Sequence, residues 1–579
     1  MKPQSANPVR FRSIGRVIEP LLLLTAAIFL GLHALHLSAD FPNHSPWMDW
    51  AKYTDEGWYG DAAIRHFQLG HWYVPGDFNP AVALPVWPLL EAALFRFTGV
   101  NLVAARALTV AIFALILLSS YLLLRRWHRL SSGPHHQEKD DHEQKDQQHH
   151  PEQNDEPRSL APALAVLLLA VSPFCYVFTR LAILEPLLIL LTLLALLAAS
   201  YTEPQPDGFS WRKTKLSRIL PLLALGLLIP LMVLTKTTAI FLLPSIAWLL
   251  WARSGYSLRS FIGLSLPPAL VAAVLWLAYY GLVVRPHFLL DYRYLFSANA
   301  YTGINPGNAL SVLGYTLNDG IWMGKLLYPV GLLAVLYAFL LRPRLLRNPL
   351  VPALVLWAAG YAAFLAYHNN LQPRYYLVLA VPLTALVPVI FEPMWTRSKK
   401  ELLSSSRRLG GLAIATVLVL LVISDASQTL SFVRTPDYTF ATAARKIRDV
   451  IIADPAHNPL VLSISGSNLS LMTGLPSICD DFGTMDLAMR VQAYHPGWYV
   501  AWNQVDDDKM DALAPMFRLQ RIAAFPAMDD PERNQLILYR LDPASPPSPA
   551  PAAPRRKTVR PHLLQTNFGQ MLGEAQLVH

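Results

Sequence analysis

Apolar runs long enough to cross a bilayer recur along most of the chain, and no other feature limits its fold so strongly. A hydrocarbon core of ~30 Å needs ~20 mostly apolar residues per helix. On that criterion about eleven segments qualify. They lie near 20–37, 103–124, 161–178, 183–200, 219–234, 239–252, 261–284, 325–341, 350–367, 375–391 and 410–424. The expected fold class is a polytopic α-helical membrane protein with about eleven transmembrane helices. Composition agrees, because 53% of the 579 residues are hydrophobic and only 15% are charged, too apolar a balance for an ordinary soluble protein.

Charge orients the segments. Alternate loops hold Arg125, Arg126 and Arg129, then Arg212, Lys213, Lys215 and Arg218, then Arg253 and Arg259, then Arg342, Arg344 and Arg347, then Arg397, Lys399, Lys400, Arg407 and Arg408. The short loops between them are much poorer in Lys and Arg, so an eleven-span count puts every rich loop on one side. The positive-inside rule makes that side cytoplasmic. The N-terminus is then cytoplasmic, and everything after about Asp425 is outside, which suits a multi-pass protein of the plasma (inner) membrane. The formal charge of +9 is spent on topology rather than gathered on a phosphate-binding face, so no nucleic-acid partner is expected. The run from Leu21 to about Leu37 lacks a small-residue cleavage site and reads as a retained anchor. Cys175 lies in an apolar stretch and Cys479 in a polar one, so neither a disulfide framework nor a cysteine metal site is indicated.

Three regions follow. Residues 1–425 form the transmembrane domain, with a loop over 38–102 on the outer side. Residues 426–543 read as a small extracytoplasmic α/β domain: TFATAARKIRDVII has helical periodicity, NPLVLSISGSNLS reads as a buried strand entering a turn, and NQLILYRLD as another strand. Residues 544–579 are a Pro/Ala-rich linker and basic tail, expected to be disordered. The His-rich polar loop 131–158 is explained by a disordered linker without a metal. Asn468-Leu-Ser matches a glycosylation sequon by pattern only.

Ionisable groups at the edges of spans are costly and mark either function or an internal pair. In YTDEGWYGDAAIRH, Asp61 and Arg65 stand at i, i+4 and are expected to pair, while Asp55, Tyr59, Ala62 and His66 share a helical face. Asp55 and Glu56 have no cation at helical spacing. A solvated amphipathic loop and a functional acidic site both fit. In FTRLAILEPLLILL, Arg180 and Glu185 bracket a tight turn, either as a structural pair or with Glu185 at the head of a helix. In AYHNNLQPRYYLVLAVP, His368, Arg374 and Tyr375 suit a phosphate clamp or an interfacial anchor. A further outer loop carries His287, Asp291 and Arg293, and Lys236 in LTKTTAI is another candidate anion contact.

These motifs resemble those of the superfamily of integral-membrane, C-type-fold glycosyltransferases, nearest the protein O-mannosyltransferase and lipid A aminoarabinose transferase branch. Asp55-Glu56 with Tyr59 and Ala63 looks like the family's acidic motif, and NPAVALPVWPLLEAALFRFTG like the juxtamembrane helix after it. TRLAILEPLLI and QPRYYLVLAVPL resemble its second acidic turn and its Arg-Tyr span entry, although relatives often carry Asp where Glu185 stands. The resemblance covers roughly residues 10–430. It implies transfer of a sugar, with inversion, from a polyprenyl-phosphate donor to a hydroxyl on protein, lipid or glycan at the outer face. It makes Asp55 the catalytic base, with Glu56 and Glu185 shaping the acceptor side and Tyr59 binding substrate. Arg374, Tyr375, His368 and Arg180 would hold the donor phosphate. No obligatory cofactor is implied, and a divalent metal stays open. A transporter or flippase of lipid-linked sugars is the alternative, although such proteins place charges nearer the midplane and show paired repeats. A third reading is an inactive anchor that presents the C-terminal domain.

Overall fold

A computed structural model describes residues 9–42, 49–131, 159–203, 216–298, 327–368, 372–396, 405–528 and 533–544. In lipid the backbone must satisfy its own polar groups, and each predicted apolar segment is mainly helical where it is described, although the first leaves helix after His33 and 161–178 is split in two. Among the described residues, five helical stretches are long and apolar enough to cross a membrane by length and composition: Leu102–Leu130, Leu216–Thr235, Leu258–His287, Pro373–Glu392 and Leu409–Ala453, the last interrupted at 435–438. Six shorter apolar helices accompany them: Val17–His33, Ala161–Val171, Leu184–Ser200, Thr237–Arg253, Pro329–Leu341 and Leu350–Ala366. The chain is an integral, multi-pass membrane protein.

Local chemistry shortens some of these helices. The Ala161–Val171 helix stops at Ser172, where Pro173 lacks the N–H needed to continue it. The Ser172 hydroxyl then accepts from the Cys175 N–H at 3.2 Å and caps a new helix, Pro173–Phe178. Leu184–Ser200 is buried on nearly all sides and sits at the centre of the bundle. Leu258–Tyr279, by contrast, keeps Leu266, Leu270, Val274 and Leu277 exposed, as a lipid-facing helix would.

The loop between the first two apolar helices carries helices Asp55–Leu69 and Val86–Thr98. The former ends on Gly70 at φ 79°, the left-handed conformation that favours glycine. The Ser405–Arg434 helix runs past the end of the predicted 410–424 segment. Beyond it, helix Thr439–Ala453 covers a sheet of β1 (Val461–Leu462), β2 (Ser477–Ile478), β3 (Trp498–Trp502), β4 (Phe517–Pro526) and β5 (Gln535–Pro543). The strand order is β2-β1-β3-β5-β4, parallel among β1, β2 and β3 and antiparallel across β3-β5 and β5-β4. Trp498 pairs with Arg540 and Leu538 with Val500, so the inward faces of both strands meet Phe440, Ala444 and Ile447. The expected α/β elements are therefore present, and β1 passes through a turn at Ile464 and Ser465 into a further helix, Gly466–Thr473. Asn468 on that helix is fully buried, which excludes glycosylation of the folded chain despite its sequon. Both cysteines are buried and unpaired. The predicted linker and tail after Ala544, and residues 132–158 of the polar loop, lie outside the described residues.

Candidate active site

Successive residues of an α-helix point ~100° apart, so the head of the Asp55–Leu69 helix sends Asp55, Glu56 and Gly57 in three directions. Each direction meets a different part of the protein.

Asp55, only 2% exposed, is ion-paired to Arg374. The same guanidinium is ion-paired to Asp49, and the Arg374 backbone N–H donates to the other Asp49 oxygen at 2.9 Å. Its Nε lies 3.7 Å from Glu185 Oε1. Glu185 heads the Leu184–Ser200 helix and is ion-paired to Lys236. The Lys236 ammonium stands 4.1 Å from the centre of the Tyr375 ring. His368 stacks on Phe364 at 5.0 Å between ring centres and lies 5.9 Å from Tyr375. Tyr59, one turn beyond Asp55, is within electrostatic reach of Asp55, Arg374 and Tyr375. Three carboxylates thus face two cations in a desolvated cluster. Burial pushes the Asp55 carboxyl above the usual aspartate range against the pull of Arg374. Burial, with Lys236 and Arg374 beside it, lowers the His368 imidazole to about 4, so it is neutral at physiological pH.

Glu56 points elsewhere. Arg106 grips it bidentately, with Nε 2.7 Å and Nη2 2.6 Å from its two oxygens. The Ala182 N–H donates to Glu56 at 2.9 Å. Arg106 Nη1 also donates to the carbonyls of Leu37, at 2.9 Å, and Ala39. Gly60, one turn on, leaves room for the buried Glu91, whose carboxylate would overlap any Cβ at that position. Burial and the nearby Glu56 hold the Glu91 carboxyl well above its ordinary value.

The expected Asp61–Arg65 pair forms at 2.7 Å, and Arg65 also reaches Asp77 and, at 3.0 Å, Asn79. Arg180 does not pair with Glu185. It donates to the carbonyls of Leu35 and His36 at 2.6 and 2.7 Å and lies over the Tyr176 ring, while Lys236 and Arg374 serve Glu185 instead. Of the 285–298 segment, Asp291 accepts from Asn79 at 2.7 Å and the Tyr294 hydroxyl accepts from Gly483 N–H at 3.1 Å. Asp49, Arg106 and Glu91 escaped sequence reasoning. Arg106 has one available signal, an unexplained cation inside the 103–124 apolar segment. Among the described residues no group of three or more His, Cys, Asp or Glu is placed to hold a metal ion.

A cavity of about 510 Å³ opens between the Leu216–Thr235 and Leu258–Tyr279 helices. Ile229, Val233, Trp276, Tyr279 and Phe296 line it, and Thr237, the neighbour of Lys236, reaches its wall.

No family model and no curated protein sequence matches the chain. Its structure is similar to that of ArnT from Cupriavidus metallidurans bound to undecaprenyl phosphate, with a TM-score of 0.54 and 16% identity over 90% of this chain and 98% of that one. The chain has the C-type glycosyltransferase fold. Likeness also extends to the archaeal oligosaccharyltransferase AglB from Archaeoglobus fulgidus in complex with an inhibitory peptide and a dolichol-phosphate. There the TM-score is 0.49 and identity 14%, over 84% of this chain and 69% of that one. The S. cerevisiae protein O-mannosyltransferase Pmt1-Pmt2 complex bound to the sugar donor gives 0.30 and 17% over 46% of this chain and 33% of that one. The fold assignment rests on the first.

Proposed function

We propose that this protein is a glycosyltransferase of the inner membrane that moves a sugar from a polyprenyl-phosphate donor to a hydroxyl acceptor. In this reading eleven helices cross the membrane, the N-terminus is cytoplasmic, and the site and the C-terminal domain face outward. The carrying observation is the buried pairing of Asp55 with Arg374, backed by Glu185 and Lys236. One group there can take a proton while two cations receive an anion.

A hydroxyl is a weak nucleophile, so its proton must pass to a base as the new bond forms. Asp55 accepts that proton. The acceptor oxygen bonds the sugar's anomeric carbon on the face opposite the phosphate, the carbon–oxygen bond to phosphate breaks, and its electron pair leaves on the phosphate oxygen. Configuration inverts. Arg374 and Lys236 stabilise the charge that develops on the leaving phosphate. When the phosphate draws Arg374 toward itself, Asp55 loses its partner and becomes a stronger base. Tyr375 and His368 wall the phosphate side, and Tyr59 lies beside the reacting atoms. The apolar cavity, with Thr237 beside Lys236 in its wall, would take the first isoprene units of the lipid. The undecaprenyl phosphate held by the similar ArnT structure supports a lipid-phosphate donor.

The test is reconstitution in liposomes with polyprenyl-phosphate sugars, comparing the parent chain with Asp55→Asn. Transfer should fall by at least ~10²-fold, the lower range for general-base catalysis, with lipid-phosphate binding retained. Full activity in the variant removes Asp55 from the role. Movement of sugar-lipid across the bilayer with no transfer product favours a transporter.

A further inference from the structure

The third direction at the head of the Asp55–Leu69 helix leads to the C-terminal domain. In an α-helix the first N–H groups lack intrahelical partners, and the residue before the helix commonly caps one of them. Thr54 occupies that position but makes no such bond. Its hydroxyl instead lies 3.1 Å from Trp50 O and 2.9 Å from Asp55 Oδ1, the two acceptors that share its one hydrogen. The missing acceptor comes from far along the chain: the Gly57 N–H donates to Asn468 Oδ1 at 2.6 Å. Asn468 is fully buried in the helix Gly466–Thr473. A Cβ at Gly57 would overlap the backbone of Ser467 and Asn468, so glycine there permits the approach.

The contact continues along one stripe of the helix. Ser467 Oγ donates to Asp61 Oδ1 at 2.5 Å, one turn beyond Gly57. After another turn Arg65 pairs with Asp77, which is also 3.0 Å from Arg490 of the C-terminal domain. Just before the helix, Tyr53 packs into the core of that domain, 5.8 Å from Trp502. Gly57 and Asp61 thus dock on the domain directly, and Arg65 through Asp77, while Asp55 and Tyr59 face the ionic cluster.

We propose that Asn468 is a positioning residue for transfer: by capping the helix from the C-terminal domain, it sets the aim of the Asp55 carboxylate and makes that domain a working part of the site. This rests on Asp55 being the base.

The test uses the full chain in nanodiscs, with hydrogen exchange over residues 53–60 and steady-state transfer measured on Asn468→Ala and Asn468→Asp. Loss of a cap changes the stability of a helix head by about 2- to 30-fold. In Asn468→Ala, exchange protection over 53–60 should fall within that range. The kcat should fall with it, donor KM should hold, and the membrane helices should keep their protection. Asn468→Asp keeps the acceptor oxygen and should recover both protection and kcat. Unchanged exchange in Asn468→Ala overturns the proposal. So does altered exchange with unchanged kcat, which reduces Asn468 to a structural cap, and so does equal loss in the Asp variant. Failure of the base assignment is distinguishable, because it appears as full activity in Asp55→Asn while the exchange result stands.

Discussion

Glu56 and Arg106 offer the clearest way to separate the two adjacent acids. Glu56 is fully buried, and its charge is met by the Arg106 guanidinium at 2.6 and 2.7 Å and one N–H from Ala182 at 2.9 Å. Arg106→Met keeps much of the volume but leaves that carboxylate with a single donor. Removing one partner of a buried ion pair costs about 3–5 kcal/mol, because the other charge stays desolvated. Adding Glu56→Gln removes the stranded charge. The carbonyls of Leu37 and Ala39 still lose their donor, so about 1–3 kcal/mol per unsatisfied group should persist in the double variant. Unfolding in mixed detergent micelles, followed together with transfer in liposomes, reads both quantities. The expected order of stability is parent, then double variant, then Arg106→Met. The double variant should also keep measurable transfer, which Asp55→Asn should not. A single Arg106→Met variant as stable as the parent would refute the buried pair. Loss of transfer in Glu56→Gln at unchanged stability would make Glu56 itself a catalytic group.

Arg374→Lys retains a positive charge but not the planar fork that serves Asp49, Asp55 and Glu185 together. Donor KM should rise and kcat should fall by about 10²-fold, the scale for losing one transition-state donor, and parent-like kinetics would contradict the clamp. Because burial raises the Asp55 carboxyl, this base is ionised only above a midpoint higher than that of an exposed aspartate, ~4. Transfer should therefore decline as pH falls through that higher midpoint, and a pH–rate profile with its acid limb at or below ~4 would count against it. Ala273→Trp should fill the apolar cavity and raise KM for long-chain donors more than for short-chain ones; equal effects on both would argue that the lipid runs elsewhere.

Much of this fold was legible because lipid leaves the backbone few choices. A long apolar segment has to be helical, and the predicted segments are mainly helical where they are described. The Asp61–Arg65 pair was equally readable, since helical geometry alone sets residues four apart side by side. The Gly466–Thr473 helix was missed because GSNLS carries turn-like composition, and the contact with the Asp55–Leu69 helix overrides it. Of the two readings that the Arg180–Glu185 turn left open, the structure takes the second: Glu185 heads the Leu184–Ser200 helix, whereas the Arg180 guanidinium finds two backbone carbonyls at the end of the first apolar helix.

By itself the sequence determined the membrane class, the succession of helices and the presence of two adjacent acids at a helix head. Those features depend on local composition and on the fixed period of a helix. Only the tertiary structure decided what the acids do. Asp55 meets Arg374, Glu56 meets Arg106, and Gly57 meets Asn468, each partner drawn from a distant part of the chain. A helix turns ~100° per residue, so neighbours in sequence become strangers in space, and the charge that completes each one comes from whichever element packs against that side.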